Sequence, residues 1–156
     1  MNNREIIALL TRDPRTRRVF RGVFPRDKLP QYVKGTSAYV INTDHSQGPG
    51  KHWVCVWFDG QGGAEYFDSF GVPPTLEPVL RFIQRNTVNG RFSYNKRLFQ
   101  NLLSSACGLY VMYYVLMKSR GARLSRVQQV FNPYRLRAND IRVRSLVKNM
   151  LRGKSL

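Results

Sequence analysis

Acidic residues are scarce in this chain: 9 Asp and Glu stand against 26 Lys and Arg in 156 residues, for a formal net charge of +17. Cysteine and histidine are scarcer still, with two of each. Two cysteines exclude a disulfide framework and argue against a multi-cysteine zinc module. A long apolar run is also missing. The longest, residues 106–117, is broken by Gly108, whereas a bilayer span needs about 20 apolar residues. Residues 1–5 lack the basic-then-apolar order of a secretory signal. The remaining composition, 42% hydrophobic and 12% aromatic, is too apolar for a disordered chain. The expectation is one very basic domain over residues 1–156, reduced and intracellular, with a core of its own.

The positive charge is concentrated at the ends. Residues 1–34 carry nine basic and three acidic side chains, for +6. Residues 35–117 carry six and five, for +1, and residues 118–156 carry eleven and one, for +10. Exposed basic faces that serve only solubility are the plain explanation. The more specific one is a polyanionic partner, above all nucleic acid. No aromatic stacking motif or zinc-finger spacing is present, so contact with phosphates, indifferent to base sequence, is the mode expected. Arg135, Arg137, Arg142 and Arg144 in the basic tail are the candidate DNA-binding residues.

Hydropathy patterning predicts helices over residues 3–10, 76–85 and 105–120, and basic helices over 124–131 and 140–151, the latter capped by Asn139. Strands are predicted over 37–42, 52–58 and 64–69, with a hairpin turn at 59–63. Residues 12–21 read as an exposed basic stretch, and 23–30, with two prolines, as an irregular loop. Helices and strands are intermixed, so the fold class is α+β.

Four residues carry candidate chemistry. Cys107 starts the apolar helix in Ser104-Ser105-Ala106-Cys107-Gly108, where free N–H groups and the helix dipole favour a thiolate. His52, at the mouth of a strand, is placed to take a thiol proton. Asp68 ends the strand that pairs with the His52 strand and can orient an imidazole. Glu65 is the weaker alternative, being of opposite strand parity. Gln100, seven residues before Cys107, carries an amide able to join the Cys107 N–H in an oxyanion hole. Each has a plain reading alone: inert buried cysteine, solvated histidine, turn acid, loop glutamine. His45, in the polar loop, reads as solvated.

Taken together, His52-Trp53, Tyr66-Phe67-Asp68-Ser69-Phe70-Gly71, Gln100 and Ser105-Ala106-Cys107-Gly108-Leu109 resemble the adenovirus-type (adenain-like) cysteine proteases. These are akin to the proteases of ubiquitin-like modifiers. Phe20-Arg21-Gly22-Val23-Phe24 and Tyr39-Val40-Ile41-Asn42-Thr43 extend the likeness, which spans residues 3–118. The resemblance implies a papain-like α+β fold, with a central cysteine-bearing helix packed on a mixed sheet. It implies Cys107 as nucleophile, His52 as base, Asp68 as its orienting acid, Gln100 in the oxyanion hole and Trp53 packed against the histidine. It further implies cleavage of capsid and core precursors, with small residues such as glycine beside the scissile bond, in the virion and host nucleus. No metal or cofactor is needed for that chemistry; DNA is an activator in the family.

Residues 86–99 contain no cysteine, where the family's disulfide-tethered peptide activator would need one, and Cys55 is a poor substitute. A peptide activator is therefore left open. The basic tail and the Asp-Ser-Phe-Gly sequence look more like proteases of adenovirus-related DNA viruses and large virus-like transposons. The expected protein is a monomeric thiol endopeptidase working on DNA-bound precursors, with no membrane partner. A modifier deconjugase and a non-catalytic basic virion protein are the alternatives.

Overall fold

The computed structural model of the protein describes residues 1–154; Ser155 and Leu156, the end of the basic tail, lie outside the described residues. Its centre is a five-stranded mixed sheet in the order β1 (Phe20–Pro25), β2 (Thr36–Asn42), β3 (Trp53–Asp59), β4 (Ala64–Phe67) and β5 (Phe92–Tyr94). The inner pairs β2–β3 and β3–β4 are antiparallel, and the outer pairs β1–β2 and β4–β5 are parallel. The helices are α1 (Asn3–Arg12), α2 (Pro14–Val19), α3 (Glu77–Arg85), α4 (Cys107–Lys118), α5 (Leu124–Gln128) and α6 (Leu136–Leu151). No helix of the described residues is long and apolar enough to cross a membrane.

β3 is the middle strand and is apolar on both faces, as expected for a strand covered on both sides. Trp53, Cys55 and Trp57 face the core shared with α1, α4, α5 and α6. Val54, Val56 and Phe58 face a second core closed by Val79, Phe82 and Ile83 of α3. Every residue of α4 from Cys107 to Met117 is buried. That is why its sequence is apolar all round rather than amphipathic. Lys118 turns back to Glu65 at 3.3 Å, and Gly121, at φ +85°, follows the helix end in the left-handed conformation.

Several expectations are corrected. The arginines of residues 12–21 are exposed as expected, but Asp13, Thr16 and Phe20 are buried: Pro14–Val19 form α2, capped by Asp13, which also pairs with Arg120 at 2.5 Å. Residues 23–25 belong to β1, not to a loop. Pro25 is tolerated because it ends an edge strand, where no ladder donor is needed. Asn139 does not cap the last helix, which starts three residues earlier at Leu136; its amide is spent on tertiary hydrogen bonds instead.

Candidate active site

The register of the central hairpin brings His52 and Asp68 together. Cys55 pairs with Phe67, and continuing that register by three residues sets His52 opposite Phe70. The His52 ring stacks on Phe70, with centroids 4.7 Å apart and planes inclined by 23°. Its Nε2 lies 2.8 Å from Asp68 Oδ1, so Nδ1 is the ring nitrogen left to exchange a proton with a thiol. The ring over His52 is thus Phe70 rather than Trp53. Trp53 is turned into the α4-side core, and its indole N–H donates to Asn3 Oδ1 at 2.8 Å.

Asp68 is held from behind by a residue the sequence did not single out. Asn95 is fully buried, accepts from the Asp68 N–H at 2.8 Å and donates to the Asp68 carbonyl. This side chain takes over from the β-ladder where β4 ends. The Asp68 carboxylate also accepts the Phe70 N–H at 2.9 Å, and the turn closes through Gly71 N–H to the Asp68 carbonyl at 2.8 Å. Gly71 has φ +70°, and a Cβ there would lie 2.6 Å from the Arg97 backbone, so no other residue fits without movement.

Cys107 occupies the first position of α4 and is 4% exposed. Its ionisation is tied to His52. Burial pushes the thiol up, but the His52 side chain, with hydrogen bonds from the Trp53 and Gly108 backbone, outweighs burial and holds it below the ordinary thiol value. Burial likewise opposes charge on His52. The Asp68 hydrogen bond and the neighbouring Cys107 prevail, and its pKa is raised to about 9. Opposite shifts in adjacent groups favour a thiolate–imidazolium pair over a neutral thiol and imidazole. Cys55 is the contrast. It is fully buried on β3, and burial followed by the Glu65 charge drives its thiol far up, leaving it inert.

Gln100 is 1% exposed. Its Oε1 accepts the Ser69 hydroxyl at 2.6 Å, and its Nε2 donates to the Ser104 carbonyl at 2.8 Å. An amide nitrogen has two protons, so one remains for another acceptor. Ser69, like Asn95, was missed: nothing in its sequence context distinguishes it from a turn serine. Glu65 is engaged elsewhere, accepting from Tyr114 at 2.7 Å and pairing with Lys118. His45 is half exposed and pairs with Asp27 at 3.1 Å.

Arg135, Arg137, Arg142 and Arg144 are all exposed, on α6 and at its start. They do not form one stripe. Arg137 and Arg144 are seven residues apart and nearly in line, whereas Arg142 sits about 140° round the helix from Arg137. Arg135 and Arg142 line a hollow of about 520 Å³, where Arg142 donates to the Val130 carbonyl at 3.2 Å.

No family model matches the chain. Over 105 aligned residues it is 35% identical to a cysteine protease of African swine fever virus, a match covering 54% of this chain and 37% of that protein. The copy from another isolate, 34% identical, bears the name SUMO-1 cysteine protease. A chain provisionally named a thiol protease in Acanthamoeba polyphaga mimivirus is 32% identical over 103 residues, covering 61% of this chain and 34% of the relative. The crystal structure of the African swine fever virus protease superposes with a TM-score of 0.63 at 20% identity, over 91% of this chain and 65% of that one.

This is the fold of a viral cysteine protease. The α+β expectation, with a cysteine-bearing helix packed on a mixed sheet, is met. The chain spans little more than a third of the length of the curated relatives it matches.

Proposed function

We propose that this protein is a cysteine endopeptidase of the adenain-like branch, cleaving precursor proteins of a virus particle while bound to DNA. The observation that carries the catalytic part is His52 held 2.8 Å from Asp68 and stacked on Phe70, beside Cys107 at the first position of α4, and the opposed pKa shifts of Cys107 and His52 agree with it. In the reaction, the Cys107 thiolate attacks the scissile carbonyl carbon and its π electrons move to oxygen. The Cys107 N–H and the free Gln100 amide proton take that oxyanion. His52 gives its proton to the leaving amine as the C–N bond breaks. It then removes a proton from water, whose oxygen attacks the thioester carbon; the C–S bond breaks, the carboxylic acid product leaves and the thiolate–imidazolium pair is restored. By the resemblance, substrates carry small residues, glycine foremost, beside the scissile bond.

The pH dependence tests the ion pair. For cleavage of a fluorogenic peptide, kcat/KM is expected to fall on the acid side below the ordinary thiol value, as the thiolate is protonated. It is expected to fall again near pH 9, as His52 loses the proton it must give the leaving amine. In Asp68→Asn the basic limb moves to lower pH, because the carboxylate that favours imidazolium is gone. A basic limb that stays in place in Asp68→Asn would disconnect the acid from His52.

The DNA part is supported by the charge distribution, +10 in residues 118–156 and +6 in residues 1–34 against +1 between them. Binding is expected to ignore base sequence, with log K falling against log salt by about 0.9 per phosphate contact on duplex DNA. Neutralising Arg135, Arg137, Arg142 and Arg144 together reduces that slope and the affinity, and leaves cleavage of a short free peptide intact. Fluorescence anisotropy over a salt series, with cleavage measured with and without DNA, checks both halves. Salt-independent binding rejects the phosphate reading.

A second reading is favoured by the name SUMO-1 cysteine protease, which three of the African swine fever virus relatives bear. A modifier deconjugase also cuts after glycine but needs the folded modifier. Tight preference for an intact modifier C-terminus over a Gly-Gly peptide would select it.

A further inference from the structure

Gln100 and Cys107 stand on either side of residues 101–106, which form neither helix nor strand. The loop itself contributes the bond from Gln100 Nε2 to the Ser104 carbonyl; the backbone around Gln100 is held from outside it. One support is Ser69, whose carbonyl accepts the N–H groups of Phe99 and Gln100 at 2.9 and 3.3 Å. The other comes from α6.

Asn139, 2% exposed, donates through Nδ2 to the Phe99 carbonyl at 3.1 Å and the Asn132 carbonyl at 2.8 Å, while its Oδ1 accepts the Asn132 N–H at 2.9 Å. Both amide protons are spent on carbonyls and the oxygen on an N–H, so only one orientation of this side chain satisfies its surroundings. Asp140 follows. Its Oδ1 accepts the Tyr110 hydroxyl at 2.8 Å and faces the Asn101 N–H at 3.4 Å. Tyr110 is fully buried on α4, three residues after Cys107. Its oxygen also lies 3.1 Å from the Phe99 carbonyl, but a hydroxyl has one proton. The shorter contact, to a carboxylate, claims it. The Phe99 carbonyl is then left to Asn139.

Consecutive residues of α6 thus grip the chain on both sides of Gln100, and Asp140 joins that segment to the helix that carries the nucleophile. We propose that Asn139 and Asp140 are positioning residues, which set Gln100 against Cys107 so that its free amide proton meets the oxyanion. The proposal rests on the protease reading above and on Gln100 as oxyanion donor. A displacement of about 1 Å in such a donor can cost about 10²-fold in rate.

The test uses the whole chain with a Gly-Gly fluorogenic peptide, a peptide aldehyde and iodoacetamide. Gln100→Ala is expected to lower kcat by about 10²–10³-fold. Asp140→Ala and Asn139→Ala are expected to lower kcat by about 10–10²-fold with KM unchanged. Affinity for the aldehyde, whose hemithioacetal oxygen needs the same donors, should fall in parallel. Alkylation of Cys107 by iodoacetamide, which uses no oxyanion donor, should not change. Asp140→Asn keeps the acceptor oxygen and restores most of kcat. In a Gln100→Ala background, Asp140→Ala adds nothing further.

Equal losses from Asp140→Ala with and without Gln100 would overturn the proposal, since the effect would then bypass Gln100. Normal kcat in folded Asp140→Ala and Asn139→Ala, with Gln100→Ala impaired, would also overturn it. Should Gln100→Ala leave kcat unchanged, or the chain cleave no peptide, the oxyanion or protease reading fails instead. The side-chain amide NMR signal of Gln100 then decides the positioning alone: it shifts in Asp140→Ala and in the milder Tyr110→Phe if α6 holds it, and stays put if not.

Discussion

Replacing Cys107 by alanine is expected to abolish peptide cleavage, with a loss on the order of 10⁶ in kcat, the scale seen when a catalytic nucleophile is removed. The fold should survive. The sulfur sits at the first turn of α4, where it anchors no hydrogen-bond ladder, and eleven of the twelve residues of that helix are buried whatever its side chain. Cys55→Ala is the control, because it removes the only other thiol. Cys55 faces α4 in the core, so its loss lowers thermal stability modestly and leaves kcat near that of the parent. Iodoacetamide should label the parent and Cys55→Ala at one site near neutral pH, and Cys107→Ala at none. Labelling at Cys55 with survival of activity in Cys107→Ala would remove the nucleophile from this site and take the protease reading with it.

The parts of this arrangement that could be read from the sequence are those set by strong local patterns. An apolar run too short for a membrane and ended by Lys118 and Gly121 has few destinies other than a buried central helix, and α4 is one. The strand at residues 52–58 and its returning partner follow from β-branched and aromatic residues around a Gly-rich turn, and that pairing places His52 near Asp68. The parts that escaped are held by long-range backbone contacts. β5 is three residues long and exists because it adds in parallel to the edge of β4. β1 carries Gly22, at φ +135°, and Pro25, which mask its extended conformation in any propensity reading. Asn139 has the side chain of a helix cap, but it is used inside the helix, on Phe99 and Asn132. Asn95 and Ser69 act on partners 27 and 31 residues away, and no local signal marks them. Sequence reasoning named candidate reacting groups, and the structure added the residues that hold them in place.

His52→Ala is expected to come next in severity, and Asp68→Asn after it. In the proposed reaction His52 has two tasks, holding the thiolate and delivering a proton to the leaving amine. Without it burial is opposed only by the Trp53 and Gly108 backbone, and the thiol rises back toward its ordinary value. Cleavage should drop nearly as far as in Cys107→Ala, and iodoacetamide labelling near neutral pH should slow as well. Asp68 never meets the substrate in this scheme. Its carboxylate orients the ring through Nε2 and favours the imidazolium, so Asp68→Asn should cost less, up to about 10⁴-fold in kcat. The variant should remain folded, because Asn95 holds the Asp68 backbone rather than its carboxylate, and an asparagine oxygen still accepts the Phe70 N–H. Thermal melting checks the fold, and kcat/KM with a fluorogenic peptide checks the rank order. Glu65→Gln, which disturbs only the Tyr114 and Lys118 contacts, should leave catalysis near normal. Full activity in Asp68→Asn together with its loss in Glu65→Gln would transfer the third role to Glu65. That outcome would require a different arrangement of β4 around His52, because the present register turns Glu65 toward α4 and leaves Asp68 alone beside the ring.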